Sequence, residues 1–204
     1  MNIEFSFTAF DELLPSANSK SKQLLQVLPG TLRDQGISVV YFNLVKMAAL
    51  DSYVCTKNLH KGLADRLATF PHIKQVLIHL FDNIASSEYL IQDRARNEAS
   101  FTTDARGHTP YKAQINPKCP LSHTLSTPLT ISDLTKLIPS PKVTLLDHEK
   151  LFVDNYIFYS SLTRAVDSGV VPLLVYIPFN LKNIHEAEEL LVNLCQAIRT
   201  MLIS

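Results

Sequence analysis

"KVTLLDHEKLFVDNYIFYSSLTRAVDSGVVPLLVYI", residues 142 to 177, carries the plainest structural pattern in the chain. "KVTLL" (142–146) reads as a short strand. The stretch after it reads as a helix, opened by Asp147 and closed near Gly169, where a glycine suits a left-handed cap. "VVPLLVYI" (170–177) reads as a second strand, with Pro172 placing it near a strand start or on an edge. Strand, helix and strand within ~35 residues predict a parallel, right-handed βαβ unit and an α/β fold.

The pattern continues on both sides. After Pro178, "NIHEAEELLVNLCQAIRTMLIS" opens with a capping box, Asn183 and Glu186. Ile184, Ala187, Leu191, Leu194, Ile198 and Met201 step by three and four and form a narrow apolar seam. At the other end, "IEFSFTA" (3–9) alternates apolar and polar residues, the period of a half-buried strand. "SANSKSKQLLQVL" reads as a short helix stopped at Pro29-Gly30. Residues 38–58 mix strand and helix signals, and the spacing Val40, Leu44, Met47, Leu50, Val54 favours a buried helix. "PHIKQVLIHLFDNIASSEYLIQDRAR" reads as a helix on Ile73, Leu77, Leu80, Phe81 and Ile84. On a helix His72 and His79 would share a face. The expected architecture is one domain, residues 1–204. It has a small mixed sheet, a C-terminal βαβ unit, several covering helices and a long proline-rich loop at 102–128.

Composition narrows function. Nineteen basic side chains balance nineteen acidic ones, so no global field draws the chain to nucleic acid or an anionic membrane. No stretch approaches the ~18 apolar residues that span a bilayer. Five scattered glycines cannot form a phosphate-cradling loop, and no sequence feature calls for a cofactor. The three cysteines, Cys55, Cys119 and Cys195, are odd in number and far apart, which favours a reducing cytoplasm over a disulfide scaffold.

Reactive side chains gather in one place, "RGHTPYKAQINPKCPLSH" (106–123). Cys119 is the plausible nucleophile, with Lys118 beside it and His108 or His123 as base. Cys119 and His123 are also spaced like neighbouring zinc ligands, but no second close pair exists to complete a site, so no metal is expected.

The length, the few glycines, the absence of tryptophan and helix-rich stretches such as "FNLVKMAALDSYVCTKNLHKGLADRLATF" resemble the small adaptors of bacterial type IV secretion systems. The resemblance implies a non-catalytic, chaperone-like adaptor that presents substrates for export. Its partners would be secretion chaperones or substrates in a hetero-oligomer, bound through the seam Ile184, Ala187, Leu191, Leu194, Ile198 and Met201. A bacterial cytoplasmic location follows. Glu186, Glu188 and Glu189 ahead of the tail "MLIS" also fit a translocated effector. The competing expectation is an enzyme or metal-binding effector built on Cys119, His108 and His123.

Overall fold

In the computed structural model, the residues described are 2–11, 19–46, 48–101, 103–104, 106–139, 143–146 and 151–203. The chain runs β1 (Asn2–Asp11), α1 (Lys20–Asp34), β2 (Ser38–Lys46), α2 (Ala49–Thr69) and β3 (Ile73–Asn83). It continues β4 (Tyr89–Gln92), β5 (Arg94–Arg96), β6 (Thr124–Ser126), α3 (Ile131–Leu137), β7 (Val143–Leu146), α4 (Val153–Ser168), β8 (Val170–Pro178) and α5 (Ile184–Ile203). Six strands form one sheet in the order β2-β1-β3-β8-β4-β7, and β5 and β6 form a separate two-stranded ribbon. β2, β1, β3 and β8 are parallel; β4 runs antiparallel to β8, and β7 runs parallel to β4. The α/β class and the mixed sheet are as the sequence implies.

Both faces of the sheet are covered. Phe5, Phe7, Val76, Ile78, Leu80, Leu173 and Val175 join Leu24, Leu28, Leu32 and the α5 residues Leu191 and Leu194 in one core. Phe10, Phe81, Leu174 and Tyr176 point the other way, toward α4 and the start of α2. This is why β3 misleads as sequence. Val76 to Phe81 are all buried, and a strand buried on both faces is a continuous apolar run that matches a helical template by chance. The helix expected from residue 71 is therefore β3, a turn, β4 and β5, and His72 and His79 do not share a face: His79 is buried in the strand and His72 is exposed in the turn before it. The helix expected over 38–58 is β2 followed by α2. The β-branched and aromatic run Val39–Phe42 fixes the strand, and Leu50 and Val54 are on the exposed side of α2.

Two further expectations shift. α1 continues through Pro29 to Asp34, because Leu28 and Leu32 on either side of the proline are both fully buried and hold that turn to the core. β7, α4 and β8 are present and Gly169 closes α4 in the left-handed region at φ 67°, but α4 begins only at Val153 and β7 runs antiparallel to β8, not parallel as expected. However, β4 lies between β7 and β8, so the two strands do not pair. The helix start expected at Asp147 lies outside the described residues. β1 is buried on both faces, and two of the residues on its polar side are hydrogen-bonded: Arg66 donates two hydrogen bonds of 2.6 Å to Glu4, and Thr8 Oγ1 lies 2.8 Å from His79 Nδ1.

Among the described residues no helix is long and apolar enough to cross a membrane. The α5 seam faces inward. Ala187, Leu191, Leu194 and Ile198 are fully buried in this chain's own core, with Ile184 and Met201 packed against it.

Candidate functional site

The proline-rich loop is pinned at its start by one side chain. Asn97, with no exposed surface, donates through Nδ2 to the carbonyls of Asn116, Cys119 and Pro120 at 2.8–3.1 Å and accepts the Asn116 N–H at 2.6 Å. Its own N–H donates to the His123 carbonyl. Further out, Ala99 and Ala113 exchange backbone hydrogen bonds. Asp104 closes the tip, taking the N–H groups of Arg106 and His108 on one oxygen and that of Ala49, at the start of α2, on the other. Burial alone would raise the Asp104 carboxyl; those three N–H donors outweigh it and hold it below its ordinary range. The loop is thus an ordered part of the fold rather than a loose tether.

This framework separates the three candidate residues. His108 stays at the tip, its ring edge-on to Phe101. Cys119 and His123 lie at the other end, where both meet Tyr159 of α4. His123 Nδ1 is 2.8 Å from the Tyr159 hydroxyl, and the rings stand edge to face. The Cys119 thiol lies near enough to the same hydroxyl to raise it, and Asn116 Nδ2 lies 3.6 Å from the Cys119 sulfur. Burial first, then the adjacent thiol, pushes Tyr159 up to about 12, so the phenol keeps its hydrogen at neutral pH. Cys119 and His123 are both half-buried, so solvent reaches this cluster. The other thiols differ: burial pushes up Cys55, and Cys195, fully buried in α5, is raised further. Among the described residues no three histidine, cysteine or acidic side chains gather closely enough to hold a metal. The loop's possible zinc ligands therefore do not assemble there.

A second polar cluster sits at the head of α4. Tyr176 of β8 reaches Gln92 of β4 and Asp154 in the first turn of α4, and all three are buried. Burial first, with Asp154 adding, drives the Tyr176 hydroxyl well up. Sequence reading missed Asn97, Tyr159 and this trio. Tyr159 and Tyr176 sit within apolar patterns and look like packing, and an aspartate in a first helical turn looks like a response to the macrodipole. Their only signal is polarity inside otherwise buried segments.

No family model matches the sequence, and no curated protein matches it by sequence. Solved structures do match. Pyrrolidone carboxyl peptidase from Thermococcus litoralis superposes with a TM-score of 0.79 at 12% identity, over 98% of this chain and 94% of that one. Pyroglutamyl peptidase I from Bacillus amyloliquefaciens gives 0.77 at 16% identity, over 97% and 95%. A mutant pyrrolidone carboxyl peptidase from Pyrococcus furiosus gives 0.76 at 14%, over 98% and 99%. These neighbours overturn the likeness to secretion adaptors, and with it the chaperone-like function and the secretion partners. That likeness rested on length and composition, which many unrelated chains share. The chain has the α/β fold of the pyroglutamyl peptidases.

Proposed function

We propose that this chain is a hydrolase of amide bonds in small peptides, with Cys119 as nucleophile and His123 as base. The observation that carries the reading is the convergence of the Cys119 thiol and His123 Nδ1 on one tyrosine hydroxyl. The thiol proton passes to the Tyr159 oxygen as the Tyr159 hydrogen passes to His123, leaving a thiolate and an imidazolium. The thiolate adds to the substrate carbonyl, and the proton returns by the same path to the departing amine. Water then releases the thioester. Support for the bond class comes from the fold, shared with proteins named as pyroglutamyl peptidases. His108 has no part in this set.

The test is turnover of a fluorogenic pyroglutamyl amide and a panel of aminoacyl amides, alongside alkylation of the native protein. The expected result is hydrolysis of at least one substrate, abolished in Cys119→Ala and reduced at least a hundredfold in His123→Ala. Turnover that survives Cys119→Ala, or a Cys119 that alkylates no faster than a free thiol, overturns the assignment.

A further inference from the structure

The turn "NPKC", residues 116 to 119, sets a side-chain amide against the proposed nucleophile. The Cys119 N–H donates to the Asn116 carbonyl at 3.2 Å and closes a four-residue turn with Pro117 in its second position. Asparagine in the first place and proline in the second are residues that such a turn favours. The Asn116 side chain completes it, with Oδ1 accepting the Lys118 N–H at 3.0 Å. That contact orients the amide, because turning it over would set its NH2 group against the Lys118 N–H. Nδ2 is therefore the end that faces Cys119, 3.6 Å from the sulfur.

Both backbones are clamped. Asn97 accepts the Asn116 N–H at 2.6 Å and donates to the Asn116 carbonyl at 2.9 Å. It also donates to the Cys119 carbonyl at 2.8 Å, which takes a second bond from Gln114 Nε2 at 2.9 Å. Donor and sulfur are thus held face to face by groups outside the pair. A thiol sulfur is a weak acceptor and a thiolate is a charged one, so the contact strengthens as the proton leaves. A donor already aimed where negative charge develops needs no reorientation at the moment of reaction.

We propose that Asn116 is a catalytic residue of this site: Nδ2–H donates to the Cys119 sulfur and stabilises the negative charge formed there when the thiol proton leaves. The proposal rests on Cys119 as the nucleophile. It divides the work between two sides of the sulfur. Tyr159 and His123 take the proton, and Asn116 holds the charge left behind. Once the sulfur is acylated it carries no charge, and the contact weakens until the thioester is released.

The test is alkylation of the native full chain by iodoacetamide, with Cys119 followed by peptide mapping, in the unaltered protein, Asn116→Ala and Asn116→Asp. The aspartate keeps an oxygen for the Lys118 N–H, so the turn and the urea midpoint should be unchanged. It replaces the donor with a charge that repels a thiolate. Losing one hydrogen bond to a charged group lowers the thiolate fraction about tenfold, while the more basic thiolate is about threefold more nucleophilic. Below the pH at which labelling levels off, the rate should therefore fall about threefold in Asn116→Ala, and further in Asn116→Asp. An Asn116→Asp variant that labels at the unaltered rate overturns the proposal alone, because the amide then only shapes the turn. A Cys119 that labels no faster than a free thiol in the unaltered protein overturns the nucleophile, and this proposal with it. Nitrogen NMR of the unaltered protein needs no variant. An Asn116 side-chain amide proton should move as Cys119 ionises and stop moving once Cys119 is alkylated. An amide proton that ignores the ionisation overturns the proposal as well.

Discussion

Asn97 makes its four side-chain contacts to the loop with no surface left to water. Replacing it with alanine strands the Asn116 N–H and up to three carbonyls, each costing about 1–3 kcal/mol when buried. Chemical denaturation of Asn97→Ala should show a loss of about 3 kcal/mol, and trypsin should cut at Lys112 and Lys118 far sooner. Unchanged cleavage would mean the loop is held elsewhere. Tyr159 is the other decisive side chain. Tyr159→Phe keeps the ring and removes only the shared hydroxyl, so stability should fall by about 1 kcal/mol. Alkylation of Cys119 and any peptide hydrolysis should fall tenfold or more, and a labelling rate equal to the unaltered protein's would exclude the relay. The sequence points to Cys119 and His123 because reactive residue types stand out in a loop. It cannot show the partner that joins them, because a tyrosine at an apolar helical position has the same pattern whether its hydroxyl is used or idle.

Elements that keep polar residues on one side, as α5 and β1 do, are readable from spacing; a strand that is apolar on both sides is not. α5 has one apolar seam and one polar face, and its start at Asn183 carries the cap that the sequence announces, with the Asn183 side chain accepting the His185 N–H. β3 lacks a polar face and so loses its period of two. α2 misled in the opposite sense: its exposed Leu50, Tyr53 and Val54 widen the apolar stripe beyond what its packing uses. The inward seam of α5 makes a firm prediction. Leu194 is fully buried, so Leu194→Ala should cost about 2–5 kcal/mol in denaturant unfolding, as a cavity in a core does. A loss below 0.5 kcal/mol would place that side chain outside the core.

At the scale of the whole molecule, the space between the sheet and the α2–α4 pair holds two neutral histidines. His60 sits between Ser161 and Ser168 at 2.8 Å each, and burial first, then Arg164, lowers it to about 4. Burial first, then His60, lowers His79 to about 3. Both values lie below that of an unfolded histidine, near 6.5. The unfolded chain therefore takes up protons first as pH falls. The stability these sites confer is complete above about pH 6.5 and drains away as pH drops toward 4 and then 3. The urea midpoint should fall steeply from pH 6.5 to 4, and His60→Asn with His79→Gln should flatten that part of the curve. An equally steep fall in the double variant would assign the acid sensitivity to other groups.

The strand order has a consequence for how the protein is made. β3 and β4 are joined by the short segment 84–88, yet β8, the last strand in the chain, lies between them. While a ribosome is still extending the polypeptide, those neighbours must stand apart around a slot about two strand widths across, roughly 10 Å. Residues 170–178 alone can close it. The nascent chain thus exposes open sheet edges in its own interior until residues 170–178 have emerged, the period when a chaperone has most to protect.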